Sequence, residues 1–164
     1  PSSQSRISPM SLFPESSLQP TGRAVLLSIK PKYADLIIAG TKTVELRRSW
    51  PSNDVGVMVI YSSAPVQRLT GVALIKEIRE CSPAALWRVA EAHGGGVTEA
   101  ELMEYIGKKR VAYGVMLGRV LPAQVLVDPK DLFPTFTPPQ GFLYLSPLDY
   151  QRVIASMFPE GVDL

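Results

Sequence analysis

The sequence predicts an α+β domain: a small, mixed, strongly bent sheet or β-barrel of five to six strands, with helices at its ends. Three observations lead there. Strand-like runs outnumber helical ones and mostly follow one another through short turns. Each helical stretch carries its own start and stop residues. Helices do not alternate regularly with strands, which argues against a doubly wound parallel sheet.

The elements follow in order. Residues 1–22 are rich in Ser and Pro, lack periodicity, and read as a flexible tail or an expression remnant. Residues 23–158 read as the domain, and 159–164 as a C-terminal tail. "RAVLLSIK" alternates like a strand with one face buried. Pro31 then suits the first position of a helix, "PKYADLIIAG", which Gly40 stops. In the strand "TVELRR", Val44 and Leu46 point one way, and Thr43, Glu45 and Arg47 the other. "VGVMVIYSS" is apolar enough to be buried on both faces, and "VQRLTGVALIKEIREC" is a long strand with Gly71 at a bulge.

Ser82 and Pro83 open a helix that the triple glycine 94–96 ends. That glycine run follows a helix, so it reads as a break between helices and not as a phosphate cradle. Thr98 and Glu101 form a capping box for the next helix, which Gly107 stops. "RVAYGVMLGRVLPAQ" is a long strand, and prolines from Pro122 to Pro139 mark an irregular segment. "FLYL" is a short strand, and "SPLDYQRVIASMF" a closing helix.

Composition narrows the function. The chain has 164 residues, enough for one domain with its own core. One cysteine, Cys81, and one histidine, His93, argue against a disulfide framework or a zinc centre, so neither metal nor cofactor is expected. The longest apolar run is short and no signal peptide opens the chain, so an intracellular protein is expected, cytoplasmic or in the nucleoid. No Walker A pattern, dinucleotide fingerprint or nucleophile elbow occurs. Glu99, Glu101 and Glu104 fit the acidic first turn of an exposed helix.

Charge is unevenly placed. Between Arg23 and Arg48 lie six basic and two acidic residues, a local charge of +4 in a chain whose net charge is +2. Such a concentration fits either a solvated surface or a polyanion site. Lys30, Lys42, Glu45 and Arg47 form the candidate cleft, with Arg48, Lys108 and Lys109 at its rim. Cations beside a helix start suit phosphate, and a carboxylate held among them accepts hydrogen bonds from an exocyclic amine of a base. The competing reading is an ion pair, Glu45 with Arg47 or Lys42, that caps a barrel end. Tyr33 and Trp50 are candidate stacking residues. Tyr61 and Tyr113 sit in apolar strands and read first as core.

"LLSIKPKYADLIIAGTKTVELRR" resembles the opening of ASCH domains of the PUA-like superfamily, whose pattern G-x-K-x-x-E-x-R falls on Gly40, Lys42, Glu45 and Arg47. "VIYSSAPVQRLTGVALIKEI", the helix around Trp87 and "AYGVMLGRV" extend the likeness over roughly residues 24–120, toward a branch described as predicted transcriptional regulators. The resemblance implies a PUA-like β-barrel with a cleft beside the first helix, and binding of RNA or of single-stranded or modified-base DNA. It also implies two enzyme alternatives. One family type hydrolyses acylated cytidine with a Lys, a Thr three residues later and a distant Glu. Lys42 matches the Lys, but Glu45 replaces the Thr and the Glu falls in the glycine run. Another type cleaves single-stranded RNA, for which Lys42 with Tyr61 or Tyr113 would serve. The carboxylate of Glu45 favours a binder over a catalyst. A further alternative is a protein-interaction module that uses the Pro-rich segment 129–139.

Overall fold

The computed structural model describes residues 22–163. Apart from Gly22, the segment read as an N-terminal tail lies outside the described residues. The element order is β1 (Arg23–Ile29), α1 (Pro31–Ile38), β2 (Val44–Arg47), β3 (Val55–Ser62), β4 (Arg68–Cys81), α2 (Pro83–Ala92), α3 (Glu99–Ile106), β5 (Ala112–Val127), a 3-10 turn (Pro129–Asp131), β6 (Phe142–Leu145) and α4 (Pro147–Met157). This is the order the sequence predicts, and the fold is α+β.

One six-stranded sheet runs β2-β5-β4-β3-β1-β6. Only β1 and β3 pair in parallel; the other neighbours are antiparallel. Strands β2 and β6 are its edges, so the hydrogen-bonded ladder does not close into a complete barrel. The sheet nevertheless curls. Laid flat, six strands span about 24 Å between the outer two, since neighbours stand ~4.8 Å apart. Yet Arg47 on edge strand β2 donates through Nη2 to the carbonyl of Gly141, next to edge strand β6, at 3.0 Å. One side chain bridges that seam only if the edges have come round to face each other.

The core explains why β1 reads as an unbroken apolar run. Ala24 and Leu26 pack into the cluster under α4, while Val25, Leu27 and Ile29 pack into the cluster under α1. Strand β1 is thus buried on both faces, not one, because each sheet face is covered by a helix. Its one polar break is Ser28, which turns toward the cleft described below. A third cluster joins β2 to α2 and α3 through Val44, Leu86, Leu102 and Ile106.

Two details depart from the sequence reading. Pro122 lies inside β5, opposite Gly71, and not in the irregular segment. The ladder shifts register between Leu69 and Gly71, and such a bulge tolerates a residue without an N–H. Residues 159–163 are fastened to β5. The Glu160 N–H donates to Oε1 of Gln124, whose Nε2 donates to the Gly161 carbonyl, and Val162 packs on the core.

Candidate functional site

Where the sheet fails to close, it leaves a cleft of about 500 Å³. One edge supplies Lys42, Glu45 and Arg47. The end of β1, one strand in from the other edge, supplies Ser28 and Lys30, and the approach to edge strand β6 supplies Gln140. Tyr33 of α1, Glu101, Glu104 and Tyr105 of α3, and the apolar side chains of Ile29, Leu46, Val97 and Leu102 complete it.

Lys42 is 2% exposed and Glu45 5%, among the few buried polar side chains of the domain. Lys42 is buried between the Tyr33 ring and the loop that carries Gly95, and Glu45 lies under the Arg47 guanidinium. The Arg47 guanidinium holds Glu45 at 3.0 Å through Nη1 and Oε2, while its Nη2 reaches Gly141. The predicted Glu45–Arg47 ion pair therefore exists, but it lines the cleft and does not merely cap it.

Lys42 has a more elaborate setting. Its Nζ donates to the Gly95 carbonyl and stands 5.2 Å from the Tyr33 ring centroid. Burial pushes its pKa down from the ordinary lysine value, and Glu45 partly offsets this. The glycine run is the partner here. Gly94 adopts φ +64° and lies so close to the backbone that an added Cβ would stand 2.1 Å from the Thr41 carbonyl oxygen. Thr43 donates to the His93 carbonyl through N–H at 3.0 Å and through Oγ1 at 3.1 Å. The three glycines are thus a docked loop that presents a carbonyl to Lys42, more than a simple break between helices.

Helix α3 contributes what sequence reading missed. Glu101, Glu104 and Tyr105 are three and four apart, so they share one helical face. The capping box forms as read: Thr98 Oγ1 accepts from the Glu101 N–H at 3.1 Å, and Glu101 Oε1 accepts from the Thr98 N–H at 2.8 Å. These Thr98 bonds hold the Glu101 carboxyl below its ordinary pKa. The i, i+3, i+4 spacing was legible, but only tertiary packing aims that face at β2. With Lys30, Lys42 and Arg47 set against Glu45, Glu101 and Glu104, the formal charges of the lining cancel.

The remaining candidates sit elsewhere. Arg48, Lys108 and Lys109 are exposed and do not line the cleft. The Arg48 N–H donates to the Tyr105 hydroxyl at 3.2 Å, and Lys109 Nζ donates to the Arg48 carbonyl at 3.1 Å, so both are tied to its rim. Trp50 packs against the cluster under α1. Tyr113 pairs with Arg47 in the ladder but does not line the cleft. Tyr61 is buried against Phe136 in the cluster under α4. Among the described residues no group of three or more His, Cys, Asp or Glu is placed to hold a metal ion, and no helix is long and apolar enough to cross a membrane.

The fold and the cleft define a small α+β domain of PUA-like architecture with a charge-balanced pocket, lined about equally by polar and apolar surface, at the seam of its sheet. The chain belongs to the ASCH domain family, whose model matches residues 27–122. It is 25% identical over 139 residues to an ASCH domain-containing ribonuclease from Zymomonas mobilis, covering 83% of this chain and 93% of that protein. The crystal structure of ASCH from the same organism superposes with a TM-score of 0.75 at 24% identity, covering 81% of this chain and 94% of that one. The N-terminal domain of Staphylothermus marinus McrB shares the fold at a TM-score of 0.50 and 10% identity, covering 84% and 95%.

Proposed function

We propose that this domain binds single-stranded RNA and holds one base in the seam cleft. The observation that carries this reading is the buried set of Lys42, Glu45 and Arg47 in a cavity of about 500 Å³, beside the partly exposed rings of Tyr33 and Tyr105. Glu45 uses Oε2 on Arg47, which leaves Oε1 to accept from an exocyclic amine. The rings offer a stacking surface. Because the charges of the lining cancel, a neutral base fits inside better than a phosphate does. The backbone then belongs at the rim, to which Arg48 and Lys109 are tied by hydrogen bonds, with exposed Lys108 next in sequence. Titration of labelled single-stranded RNA, single-stranded DNA and duplex at several salt concentrations tests this. Salt-dependent binding that prefers single-stranded RNA is expected, and no binding to any of the three would overturn it.

A second reading, RNA cleavage, is favoured by the lowered pKa of Lys42 together with the ribonuclease relative. Burial enlarges the fraction of Lys42 present as the free amine, and that amine takes the proton from a ribose 2′-hydroxyl as its oxygen attacks the adjacent phosphorus. The bond from phosphorus to the 5′-oxygen breaks, and that oxygen takes a proton from solvent. Products ending in a 2′,3′-cyclic phosphate, absent with Lys42→Ala, would support this step. Intact RNA after prolonged incubation would leave binding alone.

A further inference from the structure

A second, smaller cavity of about 240 Å³ is lined by part of the same loop that reaches the cleft. Gln140 of that loop lines the cleft, while Phe136, Thr137 and Pro138 line the second cavity. The two also meet in the sheet. Ser28, in the cleft, is the β1 register partner of Tyr61 on β3, which borders the second cavity. Strands stand about 4.8 Å apart, so the pockets are neighbours.

The second cavity is polar and carries net positive charge, unlike the cleft. Arg68 and Lys130 face one carboxylate, Asp128. Arg68 and Asp128 are 3.7 Å apart, beyond hydrogen-bond distance, and both are over a third exposed. The hydrogen bond from Arg68 to the Gln67 carbonyl and its contact with Asp128 both use Nη1. The other guanidinium N–H groups therefore remain for an acceptor that offers two oxygens, such as the non-bridging pair of a phosphodiester. Gln67, at the turn into β4, holds a left-handed φ of 54°, uncommon for a residue with a side chain. Tyr61 is 3% exposed, yet it borders the cavity, and burial together with Asp128 raises its pKa, so the hydroxyl stays a proton donor.

We infer that this cavity is a subsite for the phosphodiester next to the base held in the cleft, with Arg68 as its principal ligand and Lys130 and the Tyr61 hydroxyl beside it. The inference rests on the base-binding reading and adds a direction: the strand passes over residues 136–140. Asp128 competes with the phosphate for Arg68 and weakens binding.

The test is fluorescence anisotropy with short single-stranded oligoribonucleotides at several salt concentrations, with single nucleosides as competitors. Arg68→Ala is expected to lower affinity for dinucleotides and longer strands about tenfold and to reduce the salt slope by about one phosphate contact. It is expected to leave competition by nucleosides unchanged. Asp128→Asn keeps a side-chain oxygen that can accept from the Lys130 N–H, and it is expected to tighten strand binding, a gain that a purely structural role would not produce. If wild-type protein binds strands and neither variant alters affinity or slope, the subsite is wrong and the cleft reading stands. If wild-type protein binds no strand at any salt concentration, both readings fall.

Discussion

Lys42 Nζ donates to the carbonyl oxygen of Gly95, a residue 53 positions further along the chain. That bond ties the loop after α2 to the start of β2 and fixes the ammonium at the floor of the cleft. Lys42→Ala removes the cation and empties the contact with Tyr33. Affinity for single-stranded RNA is expected to fall about tenfold or more, the scale of one well-placed charged contact. An unchanged dissociation constant in the same titration would remove Lys42 from the site.

Arg47 bonds in two directions, to Glu45 and to Gly141, and so holds both the carboxylate and the seam. Arg47→Ala leaves Glu45, with a side chain only 7% exposed, without its partner. The cleft admits water, so the cost belongs between that of a surface pair and a fully buried one, about 2 kcal/mol. Denaturant unfolding measures it. Arg47→Lys keeps the charge but not the fork, and should recover less than half of the loss. Full recovery by lysine would show that charge alone matters here.

Local rules explain how much was legible in the sequence. Ser82, and Thr98 with Glu101, cap their helices as the sequence indicates, because a cap depends on residues within one turn, and Ser146 caps α4 in the same way. The motif Lys42, Glu45 and Arg47 falls in one cleft because those residues share a strand and its approach. Ser28, Tyr105 and Gln140 escaped because they reach the cleft from three other elements. Which strands neighbour each other decides that, and β5 standing between β2 and β4 leaves no local trace. The glycines 94–96 do separate two helices, but for the same cause their docking on Thr41, distant in sequence, left no local trace. Tyr61 and Tyr113 read as core residues of apolar strands; neither lines the cleft, and Tyr61 borders the second cavity.

Gly94 separates two effects of a side chain at positive φ. Gly40 has φ +84° with nothing within 4 Å of an added Cβ, so Gly40→Ala should cost only the left-handed strain, about 1 kcal/mol. Gly94→Ala carries similar strain plus a clash with the Thr41 backbone, and is expected to cost about 3 kcal/mol. The displaced loop also withdraws the Gly95 carbonyl from Lys42. Equal unfolding midpoints for the two variants would show that the loop yields freely.

The depressed pKa of Lys42 predicts how stability responds to alkaline pH. Burial disfavours the charged amine in the folded state, whereas the unfolded chain keeps the ordinary value of 10.5. Between the lowered folded value and 10.5, the unfolded state binds more protons than the folded state. Stability therefore rises with pH across that window, on the Lys42 contribution alone. Below the window both states carry the charge and the folded state bears its burial cost. Lys42→Met lacks this titration while keeping most of the side-chain volume. The difference in unfolding free energy, wild type minus Lys42→Met, is expected to move in favour of the wild type as pH climbs toward 10.5. A difference that stays flat across that range would mean the ammonium sits in an environment as wet as bulk solvent.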